Sequence, residues 1–170
     1  MQRELLDAKE DCDSVGGSIE AAIVGLKAGI GSPFFESVES RIAQMLFSVP
    51  AVKAVEFGIG TEFSRLRGSR ANDAFCIKDG EIRTKTNHNG GINGGITNGM
   101  PVVVTATVKP TPSIGKEQQT VSVSDMKEVV TTIHGRHDPC IVQRAVPVIE
   151  AALAIVTLDL ILEAKTYEKR

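Results

Sequence analysis

The chain has 170 residues, 42% of them apolar, and a formal net charge of −2, which fits one folded domain and excludes a disordered chain. So small a charge, with no Trp and one Tyr, gives a nucleic-acid partner neither a basic surface nor stacking aromatics, and offers an anionic membrane nothing to hold. The three cysteines, Cys12, Cys76 and Cys140, are odd in number and too far apart for a zinc site, so they read as buried, reduced thiols with no metal.

In chain order, Met1, Gln2 and Arg3 are followed by no apolar core, so no signal peptide is expected. Leu5, Leu6 and Ala8 among charges predict a short helix that ends before Asp13-Ser14-Val15-Gly16-Gly17. Alternation of Ala22, Val24, Leu26, Ala28 and Ile30 predicts a strand over residues 18–30, broken by Gly31-Ser32-Pro33. Val38, Ile42, Met45, Leu46 and Val49 share one helical face, with Glu36 and Glu39 suited to the N-terminal dipole and Pro50 as the stop. Residues 51–57 read as a strand closed by Gly58 and Gly60. Residues 63–72, with Arg65, Arg67 and Arg70, read as an exposed loop.

Lys78-Asp79-Gly80 marks a hairpin turn between residues 75–77 and 81–86. Residues 101–108 are an apolar β-branched run and predict a strand. Residues 120–123 and 129–133 suggest a second hairpin. A helix over residues 147–165, with Pro147 in its first turn, ends the pattern. Its greasiest part, residues 147–162, is shorter than the ~20 residues a bilayer requires, so it reads as a buried helix. Strands linked by hairpins and interspersed with helices predict an α+β fold with a largely antiparallel sheet. No interdomain linker is visible, so residues 1–170 are expected to form a single domain.

Three segments carry more than fold. In the first, Asn87-His88-Asn89-Gly90-Gly91-Ile92-Asn93-Gly94-Gly95, successive N–H groups of a glycine-rich loop can cradle an anion; the same residues also serve as a wide loop between strands. In the second, Lys109-Pro110-Thr111-Pro112-Ser113, two prolines hold a cation and two hydroxyls at a strand end; a rigid turn with a solvated lysine is the plainer alternative. In the third, Gly135-Arg136-His137-Asp138-Pro139-Cys140, a guanidinium can clamp a phosphate. Asp138 can join proton transfer, or cap a helix that begins at Pro139. Residue chemistry alone reaches a binder of an anionic, phosphate-bearing ligand.

These segments, in this order and with Arg144-Ala145-Val146-Pro147, Gly31-Ser32-Pro33-Phe34-Phe35 and Arg67-Gly68-Ser69, resemble the chorismate synthase family over essentially the whole chain. The resemblance implies a β-α-β sandwich-type fold, a homotetramer, a cytoplasmic location and no membrane. It implies a 1,4-elimination of phosphate from 5-enolpyruvylshikimate-3-phosphate, giving chorismate with reduced FMN, in aromatic amino acid biosynthesis. Whether NADP-linked reduction or another source supplies the electrons stays open. Carried over residue by residue, the resemblance implies that Lys109, Pro110, Thr111, Pro112, Ser113, Gly94 and Arg136 contact FMN and that Asp138 assists proton removal. Pro50 and Ala51 match another flavin-contacting pair; Pro50 stands where asparagine is common, which leaves a backbone contact. The family's Gly-Glu-Ser-His-Gly and Gly-Gly-Arg-Ser-Ser motifs, with two catalytic histidines and several substrate arginines, do not occur in this sequence. His88, His134 and His137 do not replace those histidines. The chain is therefore expected to be the C-terminal part of such an enzyme, inactive alone; a non-catalytic FMN or phosphate-ligand module and a purely structural fragment are the alternatives.

Overall fold

A computed structural model describes residues 1–168. Helix α1 (Gln2–Glu10) leads into strand β1 (Gly17–Ile23), then helix α2 (Val38–Phe47) and strand β2 (Val52–Phe57). A 3-10 stretch (Gly60–Arg65) and a one-turn helix α3 (Gly68–Ala71) occupy the region expected to be loop. Hairpins β3 (Phe75–Lys78) with β4 (Glu81–Thr84) and β5 (Ile92–Asn93) with β6 (Ile96–Thr97) follow. Strand β7 (Val102–Val108), hairpin β8 (Glu117–Ser122) with β9 (Lys127–Thr132), and helix α4 (Val142–Glu168) complete the fold.

β7 lies at the centre of an antiparallel sheet in the order β1-β7-β2. Its alternation is strict: Val102, Val104, Ala106 and Val108 are buried beneath the helices, while Val103, Thr105 and Thr107 between them are half-exposed. Helices α2 and α4 cover the buried face with Val38, Ile42 and Leu46 from one and Ile149, Leu153 and Val156 from the other. The described residues thus supply one three-stranded sheet and one helical layer, with three two-stranded hairpins besides, in an α+β, antiparallel architecture. Ser37 starts α2, its Oγ accepting from the Ser40 N–H at 3.0 Å, an N-cap that frees one orphan donor from water.

Several expectations change. β1 stops at Ile23 because residues 24–30 wrap around buried Thr97. The Gly29 N–H donates to the Thr97 carbonyl at 2.8 Å, the Ile30 N–H to Thr97 Oγ1 at 3.0 Å, and Thr97 Oγ1 to the Lys27 carbonyl at 2.7 Å. Those bonds, with positive φ at Gly25 and Gly29, replace a ladder. None of the three cysteines is fully buried: Cys12 is exposed and Cys76 and Cys140 are half-buried, although all three are free as expected. α4 starts five residues before the expected Pro147, with the Ile141 carbonyl accepting from Arg144 and Ala145. Pro147 therefore sits in the second turn, where its missing N–H leaves the carbonyl four residues back without a helical donor. At 27 residues, α4 is also long and apolar enough, by length and composition, to cross a bilayer, so shortness is no argument against that.

Candidate functional site

The sheet brings two of the three segments to one end. In the β7 ladder, Val108 faces Gly17 of β1 and Val52 of β2. Just beyond it the Lys109 N–H donates to the Ala51 carbonyl at 2.9 Å, so Pro50 and Ala51 lie beside Lys109 and Pro110. Ala51 holds φ 71°, a conformation that costs a residue with a Cβ about 1 kcal/mol and marks a constrained turn. The Ser14 hydroxyl donates to the Thr111 carbonyl at 2.6 Å, and the Val15 N–H to the Pro139 carbonyl at 2.8 Å. Residues 13–16 thereby tie the proline-framed segment to the third one. Gly16 makes that close approach feasible: a Cβ there would stand 2.5 Å from the Val108 carbonyl oxygen.

Polar groups at this end are poised differently. Lys109 and Arg136 are exposed and form no ion pair among the described residues. Thr111 Oγ1 is buried without a hydrogen-bond partner. Asp138 is held from both sides, Oδ2 accepting from Arg144 Nη1 at 3.1 Å and Oδ1 from the Cys140 N–H at 3.3 Å. It caps a turn rather than a helix at Pro139, because α4 begins only at Val142. His137 Nε2 lies 2.9 Å from the Ile133 carbonyl, which only accepts, so the ring donates there. A cavity of about 320 Å³ lies between Cys12, Asp13 and Gly115 on one side and Ile133, His134, Gly135, His137 and Pro139 on the other. At its edge a hydrogen bond from Lys116 to Asp13, 3.0 Å long, holds the Asp13 carboxyl below its ordinary range and raises the lysine in turn.

The glycine-rich segment lies at the other end of the sheet, where the Gly58 N–H donates to Val103 and Ile59 donates to the His88 carbonyl. The length of β7 separates the two ends, about 20 Å at 3.3 Å per residue. Gly94, at the exposed tip of the β5–β6 hairpin, therefore does not join Lys109 and Arg136 within this chain. Nor is the loop an open anion cradle. Its donors are consumed internally: His88 N–H and Asn89 N–H go to Asp73 at 2.8 and 2.9 Å, and Gly91 N–H to Asn87 Oδ1 at 2.8 Å. Asp73 also accepts from Thr86 Oγ1 at 2.6 Å and Asn89 Nδ2 at 2.8 Å. Burial pushes this carboxyl up, but the bonds from Thr86, Asn89 and His88 outweigh it and bring its pKa down to about 2.

Asp73 was invisible to sequence reading, since an acid in a polar stretch looks like surface; only the fold shows its side chain 3% exposed. Arg144 was seen only as part of a motif, and its ion pair with Asp138 needs the turn at Pro139 to form. Among the described residues no cluster of three His, Cys, Asp or Glu could hold a metal.

Known proteins show the same pattern. A family model described as chorismate synthase matches residues 1–162. Chorismate synthase from Thermococcus gammatolerans is 46% identical over 168 residues, 99% of this chain and 47% of that protein. The Thermococcus kodakarensis enzyme is 48% identical over the same shares, and that of Methanocella arvoryzae 50% identical over 94% of this chain and 43% of its own length. A crystal structure of chorismate synthase superposes with a TM-score of 0.77 at 32% identity, covering 96% of this chain and 42% of that one. The chain spans about half the length of the curated relatives it matches.

Proposed function

The chain belongs to the chorismate synthase family, and from that membership we propose that residues 1–170, as one domain, supply the flavin-facing part of a carbon–oxygen lyase that eliminates phosphate from 5-enolpyruvylshikimate-3-phosphate. The observation that carries this reading is the end of the sheet where, among the described residues, Thr111 Oγ1 is buried and unpartnered on the segment that begins with exposed Lys109, and where Ser14 and Val15 tie that segment to the one containing exposed Arg136. A buried hydroxyl without a partner is costly and is satisfied when an anion oxygen accepts from it. The donor set, one ammonium, one guanidinium and two hydroxyls on a proline-stiffened segment, suits a phosphate group, so the residues present fit FMN.

In this reading Lys109, Thr111 and Ser113 would hold the flavin's anionic groups, Pro110 and Pro112 would keep those side chains aligned, and the backbone of Pro50 and Ala51 would contact the cofactor. When bound, reduced FMN would supply electron density as the phosphate leaves. The Arg136 guanidinium would hold an anionic group of the ligand. Arg144 orients the Asp138 carboxyl through the 3.1 Å bond, so that it would help accept the substrate's ring proton at a carboxylate oxygen. Gly94, at the far end of the sheet, would serve a flavin only in a larger assembly, such as the homotetramer the family leads one to propose. A cytoplasmic location, no membrane and no nucleic acid complete the proposal.

Titration with oxidised FMN tests the binding step. Saturable quenching of flavin fluorescence that weakens at least tenfold in Arg136→Ala supports it; no saturable quenching removes the flavin role from this chain.

A further inference from the structure

We propose that Ser14 is a positioning residue for the flavin site: its hydroxyl fixes Thr111, and through Thr111 the anionic end of the cofactor, with no donor of its own left for the ligand; this rests on reading the proline-framed segment as flavin-facing. Ser14 lies in the connection between α1 and β1, 97 positions before its partner. Its Oγ donates to the Thr111 carbonyl at 2.6 Å, and a hydroxyl has a single proton to give. Its N–H is engaged as well, donating to Asp13 Oδ1 at 2.8 Å. Both donors are therefore spent inside the chain, so an anion at this end takes its hydrogen bonds from Thr111 and the neighbouring cations instead.

Thr111 is the residue whose freedom that bond removes. Pro110 and Pro112 flank it and confine its backbone to extended conformations. They stiffen the segment without anchoring it, since neither ring carries an N–H to give to the sheet. Between the Lys109 N–H, held by Ala51, and the Gly115 N–H, held by the Cys12 carbonyl at 2.9 Å, two carbonyls find donors among the described residues. Ser14 holds that of Thr111 at 2.6 Å, and the Gln118 side chain reaches that of Pro112 at 3.3 Å. The shorter bond falls on the one residue of the segment whose hydroxyl is buried with no partner among the described residues. A carbonyl held tightly while the hydroxyl beside it is kept out of every internal bond is the arrangement of a preorganised donor.

The turn that carries Ser14 is itself fixed, with the Asp13 N–H donating to the Ala8 carbonyl at 2.8 Å at the end of α1. Lys116 Nζ donates to Asp13 Oδ2 at 3.0 Å and to Asp11 Oδ2 at 3.4 Å. Residues 11–14 thus grip the proline-framed segment at Thr111, Gly115 and Lys116, and Val15 joins it to the Arg136 segment through Pro139. Only the grip on Thr111 depends on the Ser14 side chain. One substitution removes it and leaves the others in place, so the loop stays where it is while Thr111 loses its set direction. Donors act at full strength only when held within about 0.5 Å of the productive geometry.

The test titrates FMN into this chain and its Ser14→Ala, Ser14→Thr, Thr111→Val and doubly substituted Ser14→Ala/Thr111→Val variants, read by quenching of flavin fluorescence. Urea unfolding of each by circular dichroism shows that it is folded. The expected result is a Kd raised about tenfold by Ser14→Ala, brought back to within about threefold of the original by Ser14→Thr, which keeps a hydroxyl, and no further loss when Ser14→Ala is added to Thr111→Val. A Ser14 that serves stability alone would lower the urea midpoint and leave the Kd where it was. Where alanine does not fold, Ser14→Cys, close in shape and a weaker donor, gives a smaller loss in the same direction. The inference is overturned by a folded Ser14→Ala or Ser14→Cys variant that binds FMN as the unsubstituted chain does. It is equally overturned by a folded threonine variant no better than the alanine one, or by losses that multiply in the double variant. No saturable quenching by the unsubstituted chain would sink the flavin reading and this inference with it; binding that ignores Ser14 would sink the inference alone.

Discussion

Replacing Asp73 with asparagine removes the charge that holds residues 86–89 together. The carboxylate accepts four hydrogen bonds, from Thr86 Oγ1, His88 N–H, Asn89 N–H and Asn89 Nδ2, and its side chain is only 3% exposed, so solvent screens little. Its pKa falls from the ordinary 3.8 to about 2, which corresponds to roughly 2 kcal/mol of stability at neutral pH. Asparagine also turns an NH2 group toward N–H donors, so the expected loss is about 2–4 kcal/mol. The sign follows from a depressed folded-state pKa. The contribution is whole above the unfolded value near 3.8 and disappears as pH falls towards 2. Urea unfolding of both proteins, followed by circular dichroism between pH 7 and pH 2.5, should show a gap of that size at neutral pH that narrows on acidification. A gap below about 0.5 kcal/mol at pH 7, or one that stays constant as pH falls, would refute the reasoning.

Gly58→Ala should be more damaging still. A Cβ there would stand 1.8 Å from the His88 carbonyl oxygen at a φ of 57°, and a loss of about 3 kcal/mol or more, read as lost soluble yield or a lower urea midpoint, is expected. Arg41→Met leaves Glu36, Asp159 and Glu163 facing one another across the α2–α4 junction. It should cost about 1–3 kcal/mol in low salt and less in 1 M NaCl, where repulsion is screened. Thr111→Val should weaken FMN binding about tenfold by fluorescence titration while unfolding in urea at an unchanged or higher midpoint, since Oγ1 has no partner among the described residues.

Much of the architecture was legible because burial imposes simple periods. β7 alternates along its whole length, α2 repeats its apolar face every three or four residues, and Asp79-Gly80 turns its hairpin with both φ values positive. Where tertiary bonds overrule local pattern, the sequence misled. Val24, Leu26, Ala28 and Ile30 alternate like a strand, yet buried Thr97 draws their backbone into a loop. The glycine-rich motif looked able to hold an anion, and its own chain provides one, because Asp73 folds back from outside the motif to take two of its N–H groups. Proximity of the proline-framed and Arg136 segments could not be read from spacing either. It depends on Ser14 and Val15 bridging residues about a hundred positions away, a consequence of β1 pairing with β7.

The most direct test of the central claim is chorismate formation from 5-enolpyruvylshikimate-3-phosphate under reducing conditions with FMN, measured for this 170-residue chain alone and for its co-purified complex with the remaining portion of a Thermococcus relative. The account predicts turnover in the complex, lost with Arg136→Ala, and none above background from the chain by itself. Phosphate release by the isolated chain, or a stable complex that binds FMN yet stays inert, would contradict it.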